Sequence, residues 1–254
     1  MKKIAFILLL HSFASVHSQA YQNGEWLKFK IKYGWFKASE ATIEVKKAKI
    51  KGQKVLHIDG FGKSTGLLDV FFKVRDHYET YINPDTNLPV RFVRRINEGG
   101  YKKNKILNFN HTTNTVEVID KKHNTKNSFS FIEGTQDMMS VLYFLRNKVD
   151  IKRLKPGQTF TLNLFFDEEN YPFKVKFLKK EILETKFGDI STLKFRPYVK
   201  ADRVFKEQES LSFWVSADEN KVPLKIEAKL AVGSLTANLD QFKGLKHSFS
   251  IIAK

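Results

Sequence analysis

The sequence contains no cysteine. It can therefore form no disulfide, carry no lipid on an amino-terminal Cys, and offer no thiolate to a metal or a substrate. Long apolar runs are also missing. The one uninterrupted stretch, Ile4 to Leu10, falls well short of the roughly 20 residues that a helix needs to cross a bilayer. Acidic residues are outnumbered, with 27 Asp and Glu against 44 Lys and Arg, for a net charge of +17. Segments of helix alternating with strand are absent too, which argues against a parallel sheet covered by helices.

What the amino terminus does have is the layout of a secretory signal peptide. Lys2 and Lys3 precede the apolar run, and the small-residue stretch Ser12 to Ser18 follows it. Val16 and Ser18 favour a cut after Ser18, with Ser18 and Ala20 as a second option two residues later. The expected mature chain is a soluble periplasmic protein of 236 residues, from 19 to 254. That is long enough to bury roughly 70–75% of the surface its unfolded form exposes. Its charge stays near +15, because only Lys2 and Lys3 are lost. A basic exported protein meets lipid head groups and anionic envelope polymers rather than nucleic acid. Lysines that merely keep outer strand faces wet are the simpler explanation of the charge.

The chain reads as one strand after another. Leu27 to Tyr33 alternates apolar and cationic residues without a miss. The same period returns at Phe160, Leu162, Leu164 and Phe166, at Phe173, Val175 and Phe177, and from Leu224 through Val232. A period of two puts one face in a core and the other in water, as in antiparallel sheets solvated on one side. Asn83-Pro84-Asp85, Glu98-Gly99-Gly100, Lys155-Pro156-Gly157 and Phe187-Gly188-Asp189 supply the turns. One helix is expected, from about Thr135 to Val149, where Met138, Val141, Leu142, Leu145 and Val149 form an apolar stripe. Thr135 is placed to cap it, with Asp137 in its first turn. The expected fold is mainly β: curved antiparallel sheet, a half-barrel or two lobes meeting near 135–155, around a central helix. A loose internal echo joins Tyr81-Ile82-Asn83, Asp85 and Pro89 to Trp214-Val215-Ser216, Asp218 and Pro223. In each, short polar side chains fold back on a turn and proline opens the returning strand.

No catalytic motif survives physical scrutiny. Gly62-Lys63-Ser64-Thr65-Gly66 has the spacing of a hydrolase elbow, but that elbow needs the strand-to-helix turn of an α/β sheet. The five histidines past the leader have no metal-ligand spacing, and no cofactor is implied. Asp76 and His77 are neighbours in a strand and point to opposite faces. Asp167-Glu168-Glu169 reads as a solvated acidic turn. Asp137 and Arg146 fall on roughly opposite sides of the helix.

Gly24 to Gly34, Arg75 to Ile82, Leu88 to Phe92, the Asp137 to Arg146 helix, Phe213 to Asp218 and Val222 to Ile226 together resemble a family of exported bacterial proteins. That family is catalogued as a domain of unknown function and is common in Bacteroidetes and Proteobacteria. The likeness spans nearly all the mature chain. It departs at Lys37-Ala38-Ser39, where a glycine is expected. The hairpin pattern is also similar to the lipoprotein-carrier superfamily, whose half-barrels wrap a helix and hold lipid chains. The family brings no activity with it, but the 23 Phe and the many lysines favour an envelope binding protein for a lipid or another apolar-tailed anionic ligand, with peripheral membrane contact. Leu67, Leu68, Phe71 and Phe72 would form a lid, and Met138, Leu142, Asp76 and Arg146 would line the site. Two alternatives stand beside it. One is an envelope enzyme acting on polysaccharide or lipid, for which Asp76, His77 and Asp137 must converge in one cleft. The other is a structural partner in an envelope assembly, marked by an exposed apolar patch without a deep cavity.

Overall fold

The computed structural model describes residues 19–198, 211–230 and 233–252. The expected leader, its cut after Ser18, and Val232 lie outside the described residues. Eight strands come first: β1 (Trp26–Tyr33), β2 (Phe36–Ile50), β3 (Gln53–Ser64), β4 (Arg75–Ile82), β5 (Pro89–Glu98), β6 (Tyr101–Asn110), β7 (Thr115–Asp120) and β8 (Thr125–Ser130). Six follow a long crossover: β9 (Thr159–Phe166), β10 (Glu169–Thr185), β11 (Gly188–Tyr198), β12 (Leu211–Ser216), β13 (Pro223–Lys229) and β14 (Ser234–Lys243). A short helix, α1 (Gly66–Phe71), joins β3 to β4, and α2 (Ser140–Lys148) lies in the crossover.

The strands make one antiparallel sheet that is not closed. Each strand pairs with its sequence neighbours, except that β8 and β9 do not pair with each other and β1 also pairs with β14. This puts both ends of the sheet-forming chain mid-sheet and leaves β8 and β9 as the edges. The connection from 131 to 158 must therefore pass from one edge to the other, and it does so across the inner face. Val141, Leu145 and Val149 of α2 pack with Val175, Phe177, Leu193 and Phe195 of the second half. Tyr143, from the same helix, packs with Tyr21, Val45, Ile58 and Ile82 of the first half. At roughly 1.5–3 kcal/mol per buried aliphatic or aromatic side chain, the helix is the apolar bridge between the halves.

The alternation places the core as its period demands. Leu27, Phe29 and Phe177 are buried, and Leu162 and Ile226 are half-buried. The echoed turns share their chemistry as well. Asn83 Oδ1 accepts the N–H groups of Asp85 and Thr86, and Asp218 Oδ1 accepts those of Asn220 and Lys221. Pro89 opens β5 and Pro223 opens β13.

The helix begins later than its apolar stripe predicts. Thr135 does not cap it; the Thr135 hydroxyl donates to Ile132 O at 2.6 Å. Gln136 instead makes a parallel bridge to Leu164, giving its N–H to Asn163 O and accepting from Phe165 N. The residues ahead of α2 thus satisfy the free side of edge strand β9, which would otherwise expose its ladder groups. Asp137 then turns the chain into the helix by accepting the N–H groups of Met139 and Ser140, each at 2.8 Å.

The β9 edge is also folded inward. Phe165, 1% exposed, packs among Phe92, Leu107, Phe109, Val116 and Val118 at the other end of the sheet. Asp167 and Glu168 form the β9–β10 turn, both with positive φ, as a two-residue hairpin of this type requires. The turn is solvated, as expected, with Asp167 exposed, but its first two acids are also paired. Asp167 pairs with Arg94 at 3.0 Å and Lys103 at 2.8 Å, and Glu168 pairs with Lys105 at 2.5 Å. The turn therefore clasps β5 and β6, and the sheet rolls over onto itself.

Candidate functional site

The rim that carries the β1–β2, β3–β4 and β5–β6 connections, here the upper rim, departs from the rule that apolar residues go inside. Every residue of α1 is outside the core. Leu67 is 74% exposed, Val70 76% and Phe71 79%. Beside α1, the β1–β2 turn presents Trp35 at 81% and Phe36 at 57%, their rings stacked at 3.7 Å. Leu68, Phe72 and Tyr101 extend the exposed apolar surface.

A polar latch beneath α1 holds this surface in place. Ser64 Oγ donates to Asp69 Oδ1 at 2.5 Å and accepts from Val74 N at 2.8 Å. Arg75 clamps both oxygens of Asp69, at 2.6 and 3.0 Å. The Arg75 and Ser64 hydrogen bonds hold the Asp69 carboxyl well below the usual carboxylate range. Ser64, 2% exposed, is thus a structural tie between α1 and β4. Phe72 packs so closely on Gly99 that a Cβ there would collide with its ring, and Gly99 also has a φ of 50°.

Positive charge surrounds the patch. Lys32, Lys63, Lys73 and Lys102 are exposed on its flanking segments, and none is in an ion pair among the described residues. The nearby acids are mostly occupied: Glu40 by Lys28 and Lys37, and Asp69 by Arg75. A hydrogen bond to Asp76 and burial together push Glu98 up to about 7. It therefore carries less than a full charge near neutral pH.

The eight residues assigned to a lidded interior site do not share a pocket. Leu67, Leu68, Phe71 and Phe72 lie exposed on the upper rim, away from Met138, Leu142 and Arg146. Met138 is 41% exposed. Asp76 is buried on the inner face and accepts from Asn97 N. Leu142 and Arg146 border a void of only about 20 Å3 beside α2, room for one water. Arg146 is 2% exposed and chelates the fully buried Glu25, with Nη1–Oε1 at 2.6 Å and Nη2–Oε2 at 2.7 Å. Its Nε donates to Asn220 O, and Tyr21 and Tyr143 sit against its guanidinium. This arginine is a fastener for the amino-terminal segment. Trp35 and Phe36 were the members that the sequence reading missed. Their signal was two adjacent aromatics at a glycine turn, where a strand end should turn polar.

Asp76, His77 and Asp137 do not form one cleft either. His77 faces the outer side, bonded to Asp59. Asp137 meets Thr80, four residues along β4 from Asp76 and so roughly 13 Å away. Burial pushes the fully enclosed Asp137 carboxyl up from 3.8 to about 6, opposed by its hydrogen bonds to Ser140, Thr80 and Met139. The folded protein therefore holds this proton in a window where the unfolded chain has released it. Stability falls as pH rises from about 4 to 6 and stays lower above that. A shift of about two units corresponds to a term on the order of 3 kcal/mol. Asp137→Asn keeps the acceptor for the two backbone N–H groups. Denaturant titrations should show the wild type losing stability relative to this variant across that window. Parallel pH profiles for the two proteins would refute the assignment.

The chain belongs to the family described as protein of unknown function DUF3108, which matches residues 28–240. Among solved structures it is similar to the β-barrel-like protein of domain of unknown function DUF1849 from Brucella abortus. The TM-score is 0.55 at 9% identity, over 87% of this chain and 98% of that one. A candidate lipoprotein from Parabacteroides distasonis also aligns, with a TM-score of 0.31 at 11% identity, over 88% of this chain and 96% of that one. No curated protein matches the chain. The first of these likenesses shows the rolled antiparallel architecture, and neither assigns a ligand.

Proposed function

We propose that the protein is an exported, periplasmic envelope protein that binds lipid by docking its upper rim onto an anionic phospholipid surface. What supports this is α1, a helix with three apolar side chains at least 74% exposed, pinned from below by the Asp69–Arg75 pair and set beside the Trp35–Phe36 stack. A soluble protein leaves so concentrated an apolar surface in water only where something covers it. Aromatic rings ringed by lysines suit the boundary between acyl chains and acidic head groups. The void beside α2 is only about 20 Å3, too small for an acyl chain, which favours the rim over that site for the apolar contact.

The test is sedimentation with vesicles of phosphatidylglycerol and phosphatidylcholine against phosphatidylcholine alone. An aromatic ring carries roughly 150–250 Å2 of surface. Half-burying each ring stabilises docking by roughly 2 kcal/mol. Trp35→Ser with Phe71→Ser should therefore weaken binding to the anionic vesicles by about a thousandfold, with the thermal midpoint unchanged because neither ring is in the core. Failure of the native protein to bind anionic vesicles, or binding untouched by the double change, would refute the proposal. The first outcome would turn attention to a protein partner for the same patch.

A further inference from the structure

The opposite rim carries a second feature, which does not depend on the docking of the first. Beyond Leu56, the inner face of β2 and β3 stops being apolar. Val45 opposes Ile58 and Lys47 opposes Leu56, and then Lys49 stands directly opposite Lys54. Like charges facing each other across an antiparallel pair destabilise it. Here they close the inner face at the mouth of an open groove of about 750 Å3. Lys47, Lys49, Lys54 and Lys246 line that groove, with no Asp or Glu in the lining. None of the four is in an ion pair among the described residues.

The walls are built, not draped. Lys47 N donates to Asn23 Oδ1 at 2.8 Å, fixing the amino-terminal segment along β2. Gln22 Nε2 donates to Gly244 O at 3.3 Å and Leu245 O at 3.1 Å, holding the segment that carries Lys246. Gln22 and Asn23 both line the groove. The floor is apolar, formed by Leu56 and Pro84 among others.

We propose that this groove binds an acidic glycan, a sugar chain bearing phosphate, sulfate or carboxylate groups. Lysines two apart on one strand lie about 7 Å from each other, and a cross-strand pair lies about 5 Å apart. Such a ladder of cations meets charges repeated along a polymer better than it meets one isolated anion. Bound acid groups also relieve the Lys49–Lys54 repulsion. The carboxamides answer sugar hydroxyls, and the apolar floor accepts the C–H faces of the rings. No aromatic side chain lines the groove, so it lacks the stacking platforms on which single-stranded nucleic acid is held. Its volume falls within the usual range for ligand sites.

The experiment is calorimetric titration of the full mature chain with dextran sulfate, neutral dextran and single-stranded DNA, at low and high salt. Dextran sulfate should bind, more weakly as salt rises, and neutral dextran should not bind measurably. Lys49→Gln with Lys54→Gln should weaken dextran sulfate binding roughly tenfold or more while raising the thermal midpoint slightly. Lys47→Gln with Lys246→Gln is a second, independent pair that should weaken binding without that rise. Neither pair should alter sedimentation with anionic vesicles, which separates this groove from the upper rim. Undiminished binding by both double variants, equal affinity for DNA, or loss of vesicle binding without loss of dextran sulfate binding would each overturn the proposal.

Discussion

Replacing Arg146 with methionine should lower the unfolding free energy by about 3–5 kcal/mol, measured by denaturant titration at neutral pH. The cause is what the change leaves behind more than what it removes. Glu25 is fully buried, and both of its oxygens are engaged by Arg146. Without the guanidinium, a carboxylate must stay desolvated or take up a proton. The same change strips Asn220 O and Ala20 O of their donor. Removing both charges is a different experiment. Arg146→Met with Glu25→Leu should recover much of the loss, because a buried ion pair is often no more stable than apolar residues of similar volume. A double variant as unstable as the single one would show that the tie to Asn220 and Ala20 dominates, and not the orphaned carboxylate.

Phe165→Ala should cost about 3–5 kcal/mol and should do so from the edge of the sheet. Most edge residues tolerate truncation, but Phe165 is 1% exposed and packs against five apolar residues of β5, β6 and β7. Its rings of contact include Phe109 at 6.5 Å and Phe129 at 5.9 Å between centroids. Loss of the ring removes the apolar half of the closure and leaves the Asp167 and Glu168 ion pairs as the remaining hold. Those pairs are partly exposed and screened by salt. The variant should therefore lose further stability as ionic strength rises, more steeply than the wild type. Equal salt dependence in the two proteins would count against a closure shared between ring and charge.

Much of the strand pattern was legible because a period of two, with lysine between aliphatic residues, has few other physical meanings. The echoed turns were legible for a similar reason: Asn83 with Pro89 and Asp218 with Pro223 encode local geometry within a few residues. Pairing across long separations was not. Nothing in Leu27 to Tyr33 announces that its second partner is Leu235 to Phe242. The start of α2 was misplaced because Thr135 to Asp137 has helix-start chemistry, yet an unpaired strand edge claims its backbone. The ion pairs of Asp167 and Glu168 were not legible because their partners, Arg94, Lys103 and Lys105, are more than 60 residues away in the chain. The site showed the same limit. Leu67, Leu68, Phe71 and Phe72 stand out in the sequence, but apolar residues of a short helix read as a lid until the structure shows the Ser64, Asp69 and Arg75 latch beneath them.

The pairing of β1 with β14 orders events in time. The first of the described strands has the last of them as a neighbour, so the centre of the sheet cannot be completed until β14 has been made. Strands β1 to β8 can zip locally as they appear, each onto its predecessor. Until β14 arrives, however, β1 and β13 both present open ladders, and contacts of such wide separation form slowly. A chain that lacks β14 therefore exposes the flanks of β1 and β13, which are paired in the folded molecule, and a chaperone would find its hold there.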